Sequence, residues 1–328
     1  MTIRELSRTY AVRDNRRAIF SLVPTLILFF LALGLAAGFR DVPWILIPGV
    51  ILTAISGVRL YMLQHDCGHG SFFTTRKLND RVGLLLSPLT LTPYRAGRMN
   101  HNLHHAHIGN LDERGASEIF TMTLAEYEAA PLWRKLTYRL YRSPFTLFLF
   151  GPTLLYLFRY RWPRNARQAG VMDIVAHNAL LAVFLGGLVM LFGWQAVLVW
   201  GASLILAASF GALIPYVQHN FEEVYWAEPD VRDFETAALE GSAVIDFGPL
   251  FDLATANIAY HDMHHLNASI PSYRLKECHR ALEERLDPVK VSPRDALRCF
   301  RWKLWDEESR RMIGFPPLLG RTRPVATV

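Results

Sequence analysis

The sequence has little charge, and one long stretch has none. Only 20% of its 328 residues are charged, against about 25% in an average soluble domain. Residues 174–221 form a run of 48 residues without a single Asp, Glu, Lys or Arg, longer than any buried core helix requires. The missing charge excludes an ordinary soluble globular protein. The hydrophobic content of 51% excludes intrinsic disorder.

Cysteines are also scarce, and their spacing excludes two kinds of site. The chain has 3 cysteines, Cys67, Cys278 and Cys299, with no CxxC pair. Three such cysteines form no disulfide framework, and the lack of CxxC argues against an iron–sulfur cluster. The sequence also lacks a Ser/Gly-rich linker and an obvious internal repeat. We therefore expect a single domain over residues 1–328.

Four apolar runs predict membrane-spanning helices in two hairpins. The uncharged run at 20–39 matches the ~20 residues that a helix needs to cross the hydrocarbon core of a bilayer. A second run at 42–63 is interrupted only by Arg59. The 48-residue uncharged run folds most simply into a second hairpin with its turn at 193–195. We predict an all-α integral membrane protein, with four transmembrane helices in two hairpins and a cytoplasmic helical cap.

Basic residues predict which side of the membrane holds the termini. Five arginines precede the first run, whereas the two hairpin turns together carry only Arg40. By the positive-inside rule both termini are cytoplasmic, and we expect a multi-pass protein of a bacterial inner membrane. The predicted segments are a cytoplasmic N-terminus at 1–19, a first hairpin at 20–63, a cytoplasmic region at 64–170, a second hairpin at 171–218 and a cytoplasmic region at 219–328.

Several shorter segments are expected at the membrane surface. Residues 132–142 (LWRKLTYRLYR) and 294–305 (RDALRCFRWKLW) mix basic and aromatic side chains, a pattern typical of helices at the headgroup level. Ser292, followed by proline, predicts the start of the second helix. A solvated surface helix is the alternative for each segment. The proline-interrupted apolar runs at 82–94 and 144–158 are expected to be interfacial or re-entrant.

Most of the 12 histidines fall in three clusters with metal-ligand spacing. The clusters read HDCGH at 65–69, HNLHH at 101–105 and HDMHH at 261–265. On a helix, residues three or four positions apart lie on one face, ~5–6 Å apart, so each cluster directs two or three imidazoles to one place. Chance would produce HxxHH about 0.02 times at this histidine content. The motif occurs twice, and we therefore predict a metal site.

The number and position of the histidines favour two metal ions on one side of the membrane. Imidazole suits zinc, copper, iron and nickel, and eight imidazoles exceed what one tetrahedral ion can use. With four spans, all three clusters emerge on the cytoplasmic side. A metal transporter is an alternative, but its histidines and carboxylates would line a path inside the spans. Nothing in the sequence supports nucleic-acid binding.

Other residues near the clusters are candidates for the same site. His219 lies at the cytoplasmic end of the fourth span, within reach as a ninth ligand. Metal-bound histidines usually donate their second ring N–H to a carboxylate or a carbonyl. We expect His177 to be buried and hydrogen-bonded, and His279 to be exposed on a charged helix. Candidates for an outer layer around the ligands are Asp66, His107, Asp112, Glu222 and Asp262.

The three clusters, in this order around two apolar hairpins, resemble the histidine boxes of membrane fatty acid desaturases. The segments GNLDERG, YVQHNFEEVYW and IPSYRLKECH resemble in particular the acyl-lipid desaturases of the Δ12 (omega-6) type, and the resemblance runs from about residue 59 to residue 280. Asp262 departs from this class, which often has a neutral residue or histidine there, so the regiochemistry stays open. The ligands that the resemblance implies are His65, His69, His101, His104, His105, His219, His261, His264 and His265.

The resemblance also implies a reaction and its partners. Two non-haem iron ions would use O₂ as co-substrate to convert two adjacent methylenes of an acyl lipid or acyl thioester into a cis double bond. The chain has no haem motif or ferredoxin-like cysteine set, so we expect electrons from a separate ferredoxin or cytochrome b5-like carrier. Basic residues such as Arg76, Lys77 or Arg95 would steer it; the alternative is that they serve only the positive-inside pattern. Alternatives with the same metal chemistry are an alkane or acyl hydroxylase, a sphingolipid desaturase and a carotenoid hydroxylase or ketolase.

Overall fold

Four long apolar helices dominate the computed structural model, which describes residues 1–116, 119–158 and 170–318. Each of the four is long and apolar enough to cross a membrane. The predicted all-α scaffold of two membrane-spanning hairpins is therefore confirmed. The parts of the predicted cytoplasmic regions at 117–118, 159–169 and 319–328 lie outside the described residues. The four helices are α2 (Asn15–Gly38), α3 (Pro43–His69), α9 (Val171–Phe192) and α10 (Gln195–His219).

Shorter elements precede, connect and follow the long helices. The helices are α1 (Ile3–Ser7), α4 (Arg76–Thr90), α5 (Tyr94–His107), α6 (Leu124–Ala129), α7 (Leu132–Tyr141), α8 (Gly151–Leu157, preceded by a π-helical turn over Thr146–Phe150), α11 (Phe234–Glu240), α12 (Pro249–Ala254), α13 (His261–Leu266), α14 (Ser272–Leu282) and α15 (Pro293–Cys299). The described strands are β1 (Met122–Thr123), β2 (Val244–Ile245), β3 (Lys290–Val291), β4 (Leu304–Asp306) and β5 (Arg311–Ile313). Strand β4 pairs in parallel with β1 and antiparallel with β5, and β2 pairs in parallel with β3.

Close packing holds the first hairpin together. Helix α2 begins after Asp14, whose carboxylate accepts hydrogen bonds from the backbone N–H groups of Arg16 and Arg17, the usual role of an N-cap aspartate. In α3, a Cβ at Gly49 would lie 2.8 Å from the Cβ of Ala36. A glycine at this position therefore lets α3 approach α2 closely. Helix α3 also packs against α4 and α10, which makes it the central helix of the scaffold.

The charge of Arg59 inside α3 is accommodated by polar partners. Its Nε and Nη2 atoms donate to the hydroxyl groups of Thr25 and Ser21 in α2, each at 3.0 Å. Its Nη1 atom donates to the carbonyl oxygen of Leu253 in α12. Buried charges in a membrane segment are costly unless they are hydrogen-bonded. Arg59 therefore joins the first hairpin to α12 instead of interrupting the span.

The end of α3 turns the chain so that the first two histidine boxes come together. Gly70 follows the first box with φ = 71°, a left-handed conformation that glycine adopts without steric cost. Its N–H donates to the carbonyl oxygens of Asp66 and Cys67. The hydroxyl oxygen of Thr75 then caps α4 by accepting a hydrogen bond from the N–H of Leu78. Helices α4 and α5 return beside α3, which places the second box next to the first.

The two predicted surface segments fold differently. In α7 the side chains of Leu132, Leu136 and Leu140 are exposed, and their spacing puts them on one face of the helix. The location of α7 at the membrane surface stays a prediction. Ser292 is the N-cap of α15 and forms a capping box, as predicted, but the helix ends at Cys299. The prediction that the helix continues to residue 305 is wrong. Residues 304–306 form β4, because their backbone groups pair with β1 and β5.

Candidate metal centre

The histidine boxes and His219 meet in one place, between the ends of α3 and α10 and the helices α5 and α13. The structure sorts all nine histidines into two groups, and within each group the nitrogen atoms that face one another lie within 4.8 Å. All nine are residues whose ligand role the sequence predicts. The first group contains His65, His69, His101, His105 and His264, and the second contains His104, His219, His261 and His265.

The HxxHH pattern explains why both groups draw on the same helices. In α5 the histidines four positions apart, His101 and His105, belong to the first group, whereas His104 belongs to the second. In α13 the pair His261 and His265 belongs to the second group, whereas His264 belongs to the first. The expectation that all three imidazoles of an HxxHH cluster point to one place is therefore wrong. The i, i+4 pair is only about 40° apart around the helix, whereas the remaining histidine is rotated about 100° from its neighbour in the chain and belongs to the other group. Each HxxHH helix therefore lies between the two groups and supplies both.

The spacing within the first group fits ligands around a single ion. The Nε2 atom of His101 lies 2.7 Å from Nε2 of His65 and 2.8 Å from Nε2 of His105. The Nε2 atoms of His105 and His264 are 3.0 Å apart. Imidazoles bound to a metal at ~2.0–2.1 Å have nitrogen atoms about 3 Å apart when they are at right angles around it. The observed separations are of this size.

The second group has the same spacing. The Nε2 atom of His261 lies 3.0 Å from Nε2 of His219 and 3.0 Å from Nε2 of His265. The Nε2 atoms of His265 and His104 are 3.3 Å apart. The Nδ1 atom of His219 donates to the carbonyl oxygen of Gly241 at 2.8 Å. This bond leaves Nε2 of His219 without a hydrogen, in the form that binds a metal.

The electrostatics of the two groups favour neutral imidazoles. Burial disfavours the charged form and lowers the pKa well below the ordinary histidine value, and the neighbouring imidazoles lower it further. Neutral imidazole is the form that ligates metal ions. An all-nitrogen donor set of this kind suits iron, zinc or copper, so the residues present fit a pair of transition-metal ions. The histidines whose pKa is lowered in this way include His101, His105, His261, His264 and His265.

Two of the predicted outer-layer residues lie inside the boxes and are fully buried. Asp66 places one carboxylate oxygen 3.5 Å from Nδ1 of His65. Its other oxygen accepts a 2.7 Å hydrogen bond from the backbone N–H of Ser272. The Asp262 carboxylate accepts from the backbone N–H of Met263 at 2.8 Å and from Nδ1 of His279 at 3.1 Å. Both carboxylates therefore accept a hydrogen bond from helix α14: Asp66 from its first residue, Ser272, and Asp262 from His279.

The other outer-layer candidates do not belong to either histidine group. His107 is half-buried at the end of α5, and Asp112 is exposed. The Glu222 carboxylate lies 3.8 Å from the guanidinium group of Arg311. Among the described residues, the structure thus shows Asp66 beside a box histidine, whereas His107, Asp112 and Glu222 remain predictions without such a contact.

The structure differs from the sequence-based expectation at His279. We expected this side chain on the surface, but it is only 2% exposed. The expectation is wrong because the imidazole forms a hydrogen bond with the buried Asp262 carboxylate. His177 is buried, as expected, with its Nδ1 atom 2.9 Å from the hydroxyl oxygen of Ser87.

Asp173 is a site-related residue that the sequence analysis missed. It lies in the first turn of α9, and its carboxylate accepts hydrogen bonds from the backbone N–H groups of Arg95 and Ala96, at 2.9 and 3.2 Å. These groups belong to the first turn of α5, where an anion is stabilised by the helix dipole. Asp173 thereby joins α5, the helix that carries the second box, to the membrane helix α9. The signal in the sequence was a lone carboxylate directly before the uncharged run at 174–221.

Two pockets lie along α3. One, with about 340 Å³ of empty space that includes open solvent, is lined by His65, His69 and His101 among others. The other, with about 490 Å³ of such space, lies among α2, α3, α8 and α10, and its lining includes Gly57. Tyr61 lines both pockets. The two pockets therefore share one side chain of α3, which stands between the histidines and the membrane helices.

The chain is similar to known proteins along most of its length. Residues 41–295 match the family profile described as fatty acid desaturase. A fatty acid desaturase of Bacillus subtilis is 33% identical over 311 residues, which cover 93% of this chain and 88% of that protein. An sn-1 oleoyl-lipid 12-desaturase of Synechocystis sp. is 25% identical over 286 residues, 85% of this chain and 79% of that protein. An sn-1 acyl-lipid omega-3 desaturase (ferredoxin) of the same organism is 30% identical over 284 residues, 80% and 76% of the two chains.

Proposed function

The chain belongs to the fatty acid desaturase family, and we propose that it introduces a cis double bond at the Δ12 position of acyl chains in membrane lipids. The observation that carries the proposal is the pair of histidine groups. The first group lines a pocket that shares Tyr61 with a second pocket among the membrane helices. The Δ12 position is supported by relatives named sn-1 oleoyl-lipid 12-desaturase, at 25% and 26% identity. The relative at 33% identity carries no position in its name.

We propose that the five histidines of the first group and the four of the second hold two non-haem iron ions. When bound, the iron ions would supply, with O₂, an oxidant for C–H bonds that have no acidic proton. Two hydrogens leave adjacent methylenes, and the external donor supplies two electrons. With two further protons, O₂ is reduced to two molecules of water. The contribution of the protein is to bind and orient the acyl chain and to exclude water.

The pockets support an apolar substrate that extends away from the histidines. Gly57 precedes His65 by eight residues in α3, which corresponds to about 12 Å along the helix axis. An acyl chain in the pocket among the membrane helices would pass Tyr61 to bring its methylenes to the first group. Small residues, Gly57 and Ala208 among them, line the far part of this path. The depth and shape of this part would determine which methylenes reach the metal ions.

A contact at the end of the first hairpin supports the proposal that the N-terminus and the metal centre lie on the same side of the membrane. The side chain of Asn15, at the start of α2, accepts a 3.0 Å hydrogen bond from the backbone N–H of Thr74, just after the first box. Arg16 and Arg17 follow at the same end of α2. By the positive-inside rule this side is cytoplasmic. We propose that both termini and the histidines face the cytoplasm of a bacterial cell.

We propose that a separate acidic electron carrier of the ferredoxin type docks near the first group. Arg76, Lys77 and Arg95 are exposed in the segments around the first two boxes, and a basic surface steers an acidic partner. One relative carries ferredoxin in its name. A cytochrome b5-like carrier is the alternative donor. Turnover that is insensitive to salt and to exchange of these residues for glutamate would contradict this docking.

Expression in a host without desaturases tests the proposed reaction. The host is fed oleate, and double-bond positions in its lipids are determined by mass spectrometry. We expect a second double bond at Δ12 with the natural chain and none with His264→Ala. A double bond at another position would overturn the Δ12 assignment but keep the desaturase. A hydroxylated product would favour the related hydroxylases instead.

A further inference from the structure

Helix α14 is the next helix after the third box and contains most of the IPSYRLKECH segment, yet it contributes no histidine to either group. It is nevertheless strongly anchored. Leu275 and Cys278 are fully buried, and the Sγ atom of Cys278 lies 3.9 Å from Sδ of Met263 in the third box. Tyr273 donates its hydroxyl hydrogen to the carbonyl oxygen of Phe72, just after the first box. Helix α14 thus packs against both boxes.

The N-terminus of α14 binds the carboxylate of the first box. The backbone N–H of Ser272, the first residue of the helix, donates to the Asp66 carboxylate at 2.7 Å. The position is favourable for an anion because the N–H groups of a first helical turn have no partner within the helix. The second oxygen of Asp66 is the one that lies 3.5 Å from Nδ1 of His65. Asp66 therefore contacts both α14 and a box histidine.

The other end of α14 binds the carboxylate of the third box. Nδ1 of His279 lies 3.1 Å from the Asp262 carboxylate. The Asp262 side chain is fully buried and His279 is nearly so. A carboxylate has only acceptor atoms, so Asp262 accepts this bond and the Nδ1 atom of His279 donates it. Asp262 adjoins His261 in the chain, so α14 reaches a neighbour of the second histidine group.

These two bonds lie two helical turns apart. Ser272 and His279 are separated by seven residues, about 10.5 Å along a helix axis. The helix is therefore a rigid connection between Asp66 and Asp262, which are 196 positions apart in the chain. The Asp66 carboxylate lies 3.5 Å from His65 of the first group, and Asp262 follows His261 of the second group directly in the chain. Helix α14 therefore holds one carboxylate in the first box and one in the third.

We propose that α14 is a brace that sets the first and third boxes relative to each other, with Ser272 and His279 as positioning residues. The inference rests on the proposed metal centre. Without the imidazole of His279, the Asp262 carboxylate would be buried with one hydrogen bond fewer, and the third box would shift or admit water. Residues in this position around a metal site typically change metal affinity by about 10- to 100-fold.

The test compares substitutions along α14 in the purified, iron-loaded protein. His279→Leu removes the donor, and His279→Asn keeps an N–H close to the position of Nδ1. Glu277→Gln is the control, because the Glu277 side chain is half exposed on the same helix. Iron affinity is measured by competition with a chelator, and the Mössbauer spectrum reports the environment of the iron. Thermal unfolding of the metal-free protein separates loss of folding from loss of metal affinity.

We expect His279→Leu to weaken iron binding about 10- to 100-fold and to change the spectrum, while His279→Asn and Glu277→Gln remain close to the natural protein. Equal iron binding by His279→Leu and Glu277→Gln would overturn the brace. If the natural protein binds no iron, the proposed function fails as well. If only the brace is wrong, the natural protein still binds iron, which distinguishes the two failures.

A second variant tests the other end if His279→Leu does not fold. Ser272→Pro removes the N–H that binds Asp66, together with a buried hydroxyl for which the structure shows no hydrogen-bond partner. Proline is well tolerated at the first helical position. The preceding residue, Pro271, has φ = −68° and ψ = 148°, a conformation compatible with a following proline. We expect weaker iron binding in this variant. Unchanged chelator resistance and an unchanged spectrum would overturn the proposal.

Discussion

The Nε2 atoms of His105 and His264 lie 3.0 Å apart, although 159 positions separate the two residues in the chain. The contact joins the second box to the third within the first histidine group. The neighbouring residues His104 and His265 meet in the second group at 3.3 Å. Two adjacent pairs along the same two helices thus serve different groups. This arrangement predicts that the loss of one histidine weakens one group more than the other.

Replacement of His219 should remove one of the two iron ions. The second group has four histidines, and His219→Ala leaves three, whereas His69→Ala leaves four in the first group. Because each ligand contributes to affinity, we expect the iron content to fall from two towards one per chain in His219→Ala, and to fall less in His69→Ala. Elemental analysis of the purified variants measures this. Two iron ions retained in His219→Ala would show that His219 is not a ligand.

Mild acid should destabilise the metal-free protein. Burial lowers the pKa of His261, His264 and His265 in the folded state, whereas the unfolded chain binds protons below pH ~6.5. Below this pH the unfolded state therefore binds more protons than the folded state, and stability falls as the pH decreases towards the lowered pKa values. Above pH ~6.5 these groups have no effect. Thermal unfolding of the metal-free protein between about pH 8 and 5 tests this. An unfolding temperature that does not change over this range would be inconsistent with buried neutral imidazoles.

Gly83→Ala should displace α5, the helix that carries the second box. A Cβ at this position would lie 2.2 Å from Cε2 of Tyr94, which begins α5. The Tyr94 hydroxyl lies 2.8 Å from both the carbonyl oxygen of Cys67 and the Asp80 carboxylate, so the ring cannot move without breaking these contacts. Overpacking of this kind costs about 1–3 kcal/mol. We expect a lower unfolding temperature and a lower iron content.

Gly201→Ala provides the control for Gly83→Ala, because nothing lies within 4 Å of a Cβ at that position. Its unfolding temperature and iron content should match those of the natural protein. If the two variants behave alike, the contact between α4 and Tyr94 does not position the second box.

Filling the pocket among the membrane helices should shorten the acyl chains that are accepted. Ala208 is buried and lines this pocket, and phenylalanine at this position would occupy part of its space. Ala202 lies on the same helix but is exposed, so Ala202→Phe is the matched control. We expect Ala208→Phe to shift the products towards shorter chains and Ala202→Phe to leave their distribution unchanged. Gas chromatography of the lipids gives the distribution, and an identical profile for both variants would place the acyl chain elsewhere.

The spans and the boxes could be predicted because their signals are local. Uncharged runs and histidines at helical spacing depend on residues that are close in the chain. The division of the histidines into two groups depends on how α5 and α13 are rotated relative to each other, which no local pattern contains. The same reason explains the failure at His279, whose partner Asp262 lies 17 positions away. Strand β4 was missed because its partner β1 precedes it by about 180 residues.

An isotope experiment distinguishes desaturation by this chain from hydroxylation. The purified, iron-loaded protein is supplied with an oleoyl lipid, a reduced electron carrier and oxygen-18 gas, and the product lipid is analysed by mass spectrometry. We expect an acyl chain that has lost two hydrogens and contains no oxygen-18, with the label in water. Oxygen-18 in the acyl chain, or an unchanged acyl chain in the presence of fully loaded protein and reductant, would contradict the proposed desaturation.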